Sequence, residues 1–155
     1  MPTRYVHTNI ISVDWKELIR FYIDVFDCRP LPPARNQSGE WLSRGTGVED
    51  AALQGMHLRL PGYGEEGPTL EIYQYAKMKD RPEPAANRKG FGHIAFQVED
   101  VVACLKKVVA HGGKAMGEVV TKEVEGVGII TFVYAADPEG NLIELQRWEI
   151  GRTVG

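Results

Sequence analysis

The stretch HIAFQVED, His93 to Asp100, alternates strictly: Ile94, Phe96 and Val98 fall on one face, His93, Ala95 and Gln97 on the other. A period of two reads as a half-buried β-strand. The chain says nearly the same thing at its start, in HTNIISVD, His7 to Asp14. In both stretches His is followed seven residues later by Asp, and His93 and Asp100 each lie 86 residues beyond their counterparts His7 and Asp14. An internal repeat on this scale governs the reading of everything else.

Each Asp opens a helical pattern. After Asp14, the residues Trp15, Leu18, Ile19, Tyr22, Val25 and Phe26 recur at three- and four-residue steps. After Asp100, Val101, Val102, Leu105, Val108 and Val109 do the same, which puts one apolar stripe on each helix. An aspartate at the start can cap the free backbone N–H groups. RPLPP at 29–33 stops the first helix from continuing, and HGG at 111–113 supplies a glycine for the left-handed cap of the second.

Strand-like segments follow each helix. In the first half they are expected at about 40–44, at MHLRLP (56–61) and at TLEIYQY (69–75). In the second they are expected at about 114–121, at IITFVYA (129–135) and at NLIELQRW (141–148). DPEG at 137–140 suits a type I turn closing a hairpin between the last two. The repeating unit is therefore strand, helix, three strands. The two final strands, carrying Glu71 and Glu144, are offset by 73 residues rather than 86, so the first half holds about 13 extra residues. GTGVEDAALQG and PGYGEEGP, around 46–67, read as the loops that contain them. The fold class expected is α+β: two tandem βαβββ modules over 1–78 and 91–150 of a single 155-residue domain, joined by the Pro- and charge-rich linker 79–90.

Composition sets the outer bounds. With 43% apolar and 25% charged residues the chain is ordinary for a globular domain, and a net charge of −3 gives no bulk reason to expect nucleic-acid binding. The basic cluster NRKG at 87–90 reads as a solvated loop. Cys28 and Cys104 form no CxxC pair, which argues against a disulfide scaffold and a structural zinc knuckle. No apolar run reaches the roughly 20 residues of a membrane span, and the first residues lack the pattern of a secretory signal. A reduced, cytoplasmic protein is the expectation.

Alternation also orients the polar residues. With the apolar positions of each strand turned to a helix, His7 and Glu71 share the opposite face in the first module, and His93 and Glu144 share it in the second. Tyr73 and Tyr75 continue the Glu71 face; Gln146 and Trp148 continue that of Glu144. A single strand His or Glu means little. Two His and two Glu at repeat-equivalent positions match the donor preferences of Zn²⁺, Ni²⁺, Co²⁺, Mn²⁺ or Fe²⁺. Such a set can leave open coordination positions for chemistry. The two remaining histidines lack such partners in the sequence; His111, beside two glycines, reads as a helix-end residue, and His57 is left without a role. Trp41 and Phe132 read as ordinary core.

The paired modules, the HIAFQVED strand and DPEGNLIEL resemble the vicinal oxygen chelate superfamily. That group includes glyoxalase I (lactoylglutathione lyase), methylmalonyl-CoA epimerase, extradiol dioxygenases and antibiotic-resistance proteins. The resemblance runs from about Tyr5 to Trp148. It implies two curved half-barrels around one divalent metal, with His7, Glu71, His93 and Glu144 as ligands, the set typical of bacterial glyoxalase I. It implies an isomerase or lyase that stabilises an enediolate-like species from a small carbonyl substrate with vicinal oxygens. Glu144 is the favoured base, with Glu71 its counterpart; Tyr73, Tyr75, Gln146 and Trp148 are the candidate substrate wall. It implies a homodimer, with ligands drawn from one chain or exchanged between two. One departure is visible: where the bacterial enzymes tend to place an Arg and an Asn that contact glutathione, this chain has Ile11 and Tyr75. An iron-dependent extradiol-type dioxygenase, a thiol-adding resistance enzyme and a non-catalytic small-molecule binder are the competing classes.

Overall fold

The computed structural model describes residues 2–149. The chain divides into two compact units at Arg81/Pro82. Residues 79–90 contain no helix or strand. Both units are α+β, and both sheets are open.

Unit 1 runs β1 (His7–Ile11), α1 (Trp15–Phe26), β2 (Arg29–Ser38), α2 (Glu40–Thr46), β3 (Ala52–Arg59) and β4 (Thr69–Tyr75), with one 3₁₀ turn at Gly64–Glu66. The sheet order is β1-β4-β3-β2. β1 lies parallel to β4, and the other pairs are antiparallel. The Asp14 carboxylate caps α1 by accepting from the Glu17 N–H at 3.2 Å. Leu18 and Tyr22 of α1, Leu58 of β3 and Leu70 and Ile72 of β4 are essentially inaccessible and form the core. Leu18 and Tyr22 belong to the apolar helical stripe, and Leu70 and Ile72 to the strand face that alternation assigns.

Three expectations for this half are corrected. Residues 40–44 are not a strand but most of α2. The strand sits earlier, at 29–38, directly through the proline run. Prolines lack the N–H a ladder needs, and the β2–β3 register slips between Leu31 and Arg35, where they stand. Residues 52–55, expected in a loop, begin β3. Trp41, expected in the core, is 60% exposed on α2, its indole N–H donating to the Ser38 carbonyl.

Unit 2 runs β5 (Ile94–Gln97), α3 (Val101–Ala110), β6 (Lys114–Ala115), β7 (Val120–Val124), β8 (Gly128–Ala136) and β9 (Leu142–Glu149). The sheet order is β5-β9-β8-β6, with β7 also on β8. The expected strand at 114–121 is thus split into two pieces, β6 and β7. Asp100 caps α3 by accepting from the Ala103 N–H at 2.9 Å. The His111 ring meets the Lys107 carbonyl at 2.8 Å and Gly112 takes a positive φ, so HGG ends the helix as the sequence suggests. In the β8–β9 turn, the buried Asp137 carboxylate accepts from the Glu139 and Asn141 backbone N–H groups and from the Asn141 amide. Val108, Val133, Ile143 and Leu145 make the fully buried core.

The registers show that the repeat is structural as well as sequential. Glu71 stands opposite Asn9, two residues past His7, and Glu144 stands opposite Ala95, two residues past His93. Each unit therefore presents one His and one Glu at the same place on its sheet.

Candidate metal centre

On unit 1, the face away from α1 carries a cross-strand row of Asn9 (β1), Glu71 (β4), His57 (β3) and Leu31 (β2). His7 Nε2 lies 3.3 Å from Glu71 Oε1, and the Asn9 amide donates to the same oxygen at 2.8 Å. His57 Nε2 lies 2.8 Å from the other oxygen, Oε2. Glu71 is largely buried, its side chain 11% exposed, while that of His7 is 36% exposed. Imidazoles and one carboxylate thus converge from three strands. His7, His57 and Glu71 each offer a donor atom within 4.8 Å of the others.

His57 corrects the expectation that it stands without partners. Besides Glu71 it meets Thr69 Oγ1 through Nδ1 at 2.8 Å, and its ring sits edge-on to His7 at 5.4 Å. The only signal in the sequence was register: His57 falls opposite Glu71 once β3 is paired with β4. Burial lowers its pKa below the usual histidine value; the Glu71 carboxylate works against this, and the charges of Arg35 and His7 work with it. The phenol of Tyr73 is pushed up to about 12, first by burial and then by its hydrogen bond to Glu71.

The neighbouring row runs Ile11, Tyr73, Gly55, Arg35. Gly55 is required there. A Cβ at this position would lie 2.0 Å from the Ile72 carbonyl oxygen and 2.5 Å from Tyr73 Cδ1, so the tyrosine ring occupies the space a side chain would fill. Tyr73 and Tyr75 pack against a small cluster of Leu42 from α2 with Ala51 and Leu53. Helix α2, which the sequence pattern did not show, therefore supports the aromatic end of this face.

On unit 2, His93 stands just before β5, and its Nε2 lies 3.1 Å from Glu144 Oε1. The His93 side chain is 27% exposed and that of Glu144 13%. Glu144 Oε2 accepts from the Gln146 amide at 3.1 Å, and Gln146 in turn accepts from the Trp148 indole N–H at 2.9 Å. Tyr134 of β8 stands opposite Glu144 and its ring lies 4.6 Å from that of His93. Phe132, expected in the core, is half-buried on this same polar face, opposite Gln146 and 5.9 Å from Tyr134.

The four expected ligands are thus placed as two His–Glu pairs, one in each unit. Nε2-to-carboxylate separations near 3 Å are those of donors on adjacent positions around one ion with bonds of about 2.1 Å. Among the described residues neither Glu71 nor Glu144 has a Lys or Arg ion-pair partner; their ion-pair partners are histidines, and their other neighbours are uncharged donors. A neutral imidazole beside a carboxylate suits a borderline divalent cation. The residues present fit such a group.

The sequence model of the Glyoxalase/Bleomycin resistance protein/Dioxygenase superfamily matches residues 4–145. The chain is 29% identical over 147 residues to a Vibrio parahaemolyticus protein named probable lactoylglutathione lyase, covering 92% of this chain and 88% of that one. It is 30% identical over 140 residues to a Synechocystis protein of the same name, covering 90% and 92%. Among solved structures, a glyoxalase family protein from Bacillus cereus matches with a TM-score of 0.74 at 22% identity, covering 94% of this chain and 93% of that one. The last likeness is one of fold. No helix among the described residues is long and apolar enough to cross a membrane.

Proposed function

Since the chain belongs to the Glyoxalase/Bleomycin resistance protein/Dioxygenase superfamily, we propose that it is a divalent-metal-dependent isomerase or lyase of glyoxalase type. It acts on a small carbonyl substrate with vicinal oxygens. The carrying observation is the recurrence of a His–Glu pair at the same register position of both units, His7 with Glu71 and His93 with Glu144. These four residues are the proposed ligands, contributed within one chain or by two copies in a cytoplasmic homodimer. The modules 1–78 and 91–150 and the linker 79–90 are the corresponding proposed boundaries, residue 150 lying outside those described. The relatives named lactoylglutathione lyase support the reaction class.

A bound divalent ion would supply Lewis-acid polarisation of the substrate's oxygens. The chain's own part is proton movement. A carboxylate removes the C–H proton from the hydroxyl-bearing carbon next to the carbonyl and returns it to the carbonyl carbon, while the hydroxyl proton passes to the former carbonyl oxygen, so the net change is an isomerisation. Glu144 is the better base of the two. Asn9 and His57 hold Glu71 on both oxygens, whereas Glu144 Oε1 faces His93 alone, because Ala95 occupies the place of Asn9. Tyr73, Tyr75, Gln146 and Trp148 form the proposed substrate wall. Gln146 also keeps Glu144 in place. Exposed Ile11 and half-buried Tyr75 offer no cation or amide, so the wall favours an apolar or aromatic substituent over the charged ends of glutathione.

The test is elemental mass spectrometry of the untagged protein beside His93→Ala, followed by assay of lactoylglutathione formation from methylglyoxal and glutathione, and then from aromatic α-ketoaldehydes. Near-stoichiometric Ni, Co, Zn or Mn that disappears in the variant, with turnover, supports the reading. No bound metal after incubation with each ion overturns it.

A further inference from the structure

We propose that His57 is a positioning residue that holds Oε2 of Glu71 and so turns Oε1 toward a cation. This inference deepens the divalent-ion reading above and rests on it.

His57 on β3 is directly opposite Glu71 on β4 in an antiparallel ladder, a pairing that brings side chains into contact. Its two ring nitrogens are both engaged. Nε2 meets Glu71 Oε2 at 2.8 Å and Nδ1 meets Thr69 Oγ1 at 2.8 Å. A carboxylate oxygen only accepts, so Nε2 carries a hydrogen; a hydroxyl can rotate to donate, so Thr69 completes Nδ1. The ring is clamped as well. It lies edge-on to His7 at 5.4 Å and to Tyr73 at 6.2 Å, and its side chain is only 14% exposed. With Oε2 held, Glu71 has Oε1 left for a cation: it lies 3.3 Å from His7 Nε2 and accepts from the Asn9 amide at 2.8 Å, which leaves its second lone pair.

Unit 2 reaches the same result with different residues. The position equivalent to His57 is Tyr134, which makes ring contact with His93. There the second carboxylate oxygen is held by Gln146, and Gln146 is held by Trp148. Both glutamates therefore have Oε2 occupied by a protein donor that is itself anchored. What recurs through unrelated residue types is the arrangement itself: Oε2 held by a protein donor and Oε1 facing the histidine. Outer groups of this kind orient a ligand and tune its basicity.

The competing arrangement makes His57 a third ligand, since its donor atom lies within 4.8 Å of those of His7 and Glu71. That would require a bare Nε2. The experiment compares full-length wild type with His57→Gln, His57→Ala and Thr69→Val. Ring tautomers are read by long-range ¹H–¹⁵N NMR of the metal-free protein, and Co²⁺ and Zn²⁺ affinity by chelator competition. Expected are an Nε2–H tautomer for His57, a roughly 10- to 100-fold loss of affinity in His57→Ala, recovery of most of it in His57→Gln, and a smaller loss in Thr69→Val. An Nδ1–H tautomer, or loss of one imidazole from the bound ion's donors in His57→Gln by pulsed EPR, overturns the proposal. So does unchanged affinity in His57→Ala. A wild type that takes up neither ion overturns the metal reading and this one with it. Wild-type binding that is indifferent to His57 overturns only this one.

Discussion

Asn9 stands directly across the β1–β4 ladder from Glu71, and its amide donates to Glu71 Oε1 at 2.8 Å, the same oxygen that faces His7. The corresponding residue of unit 2 is Ala95, which offers Glu144 nothing. The repeat is therefore unequal at the point where its chemistry is proposed. Replacing Asn9 by Ala should release Glu71 Oε1 from its orienting donor and lower divalent-ion affinity by about 10-fold. Chelator competition reads this, and an unchanged affinity would remove Asn9 from the site.

Glu144 is the freer carboxylate, and Glu144→Gln keeps its shape and its contact with Gln146. The expected outcome is a loss of kcat of about 10²–10⁴-fold, the usual worth of a general base. The thermal midpoint should change little. If Glu71→Gln removes more turnover than Glu144→Gln at saturating metal, the assignment of the base is reversed.

Gly55 makes room for the Tyr73 ring. In Gly55→Ala the new methyl meets the Ile72 carbonyl oxygen at 2.0 Å, a backbone atom that cannot turn aside. Strands β3 and β4 would have to part. A loss of about 1–3 kcal/mol in urea unfolding is expected, as for other overpacked sites. Full stability would show that the ladder relaxes freely here.

Cys28 is buried at the end of α1, and burial first, with the Asp27 charge second, pushes its thiol up to about 12 from 9.0. The folded form therefore holds the proton more tightly than the unfolded chain does. Its contribution to stability is complete below pH 9.0 and is lost as pH rises through about 12. Cys28→Ala should flatten the alkaline fall in stability between those limits. Native Cys28 should also resist iodoacetamide at neutral pH, while the denatured chain reacts; mass spectrometry separates the two.

Asp100 caps α3 through the Ala103 N–H. Asp100→Ala should cost about 1 kcal/mol, and Asp100→Asn or Asp100→Ser should restore most of it. A midpoint that does not move in the Ala variant would mean that packing of Val101 and Val108 alone holds the helix.

Much of this was legible because it is periodic. Strands β1, β4, β8 and β9 and helices α1 and α3 follow from alternation, three- and four-residue steps and aspartate caps. The same alternation sent His7, Glu71, His93 and Glu144 to the polar face. Helix α2 escaped because EWLSRGT carries a glycine and buries only Leu42, too little for a visible stripe. Strand β2 escaped because it runs through three prolines, which local preference reads as loop, and is held by its ladder with β3.

The sequence by itself determined the repeat, the caps and the pairing of one histidine with one glutamate in each half. These depend on spacing along the chain, and spacing sets which face a side chain takes. Only the tertiary structure decided what stands beside those pairs. His57 and Tyr134 stand opposite their glutamates on one neighbouring strand, and Asn9 and Ala95 on the other, through ladder registers that no local pattern encodes. The two halves are alike in what they repeat along the chain and unlike in what they meet across the sheet.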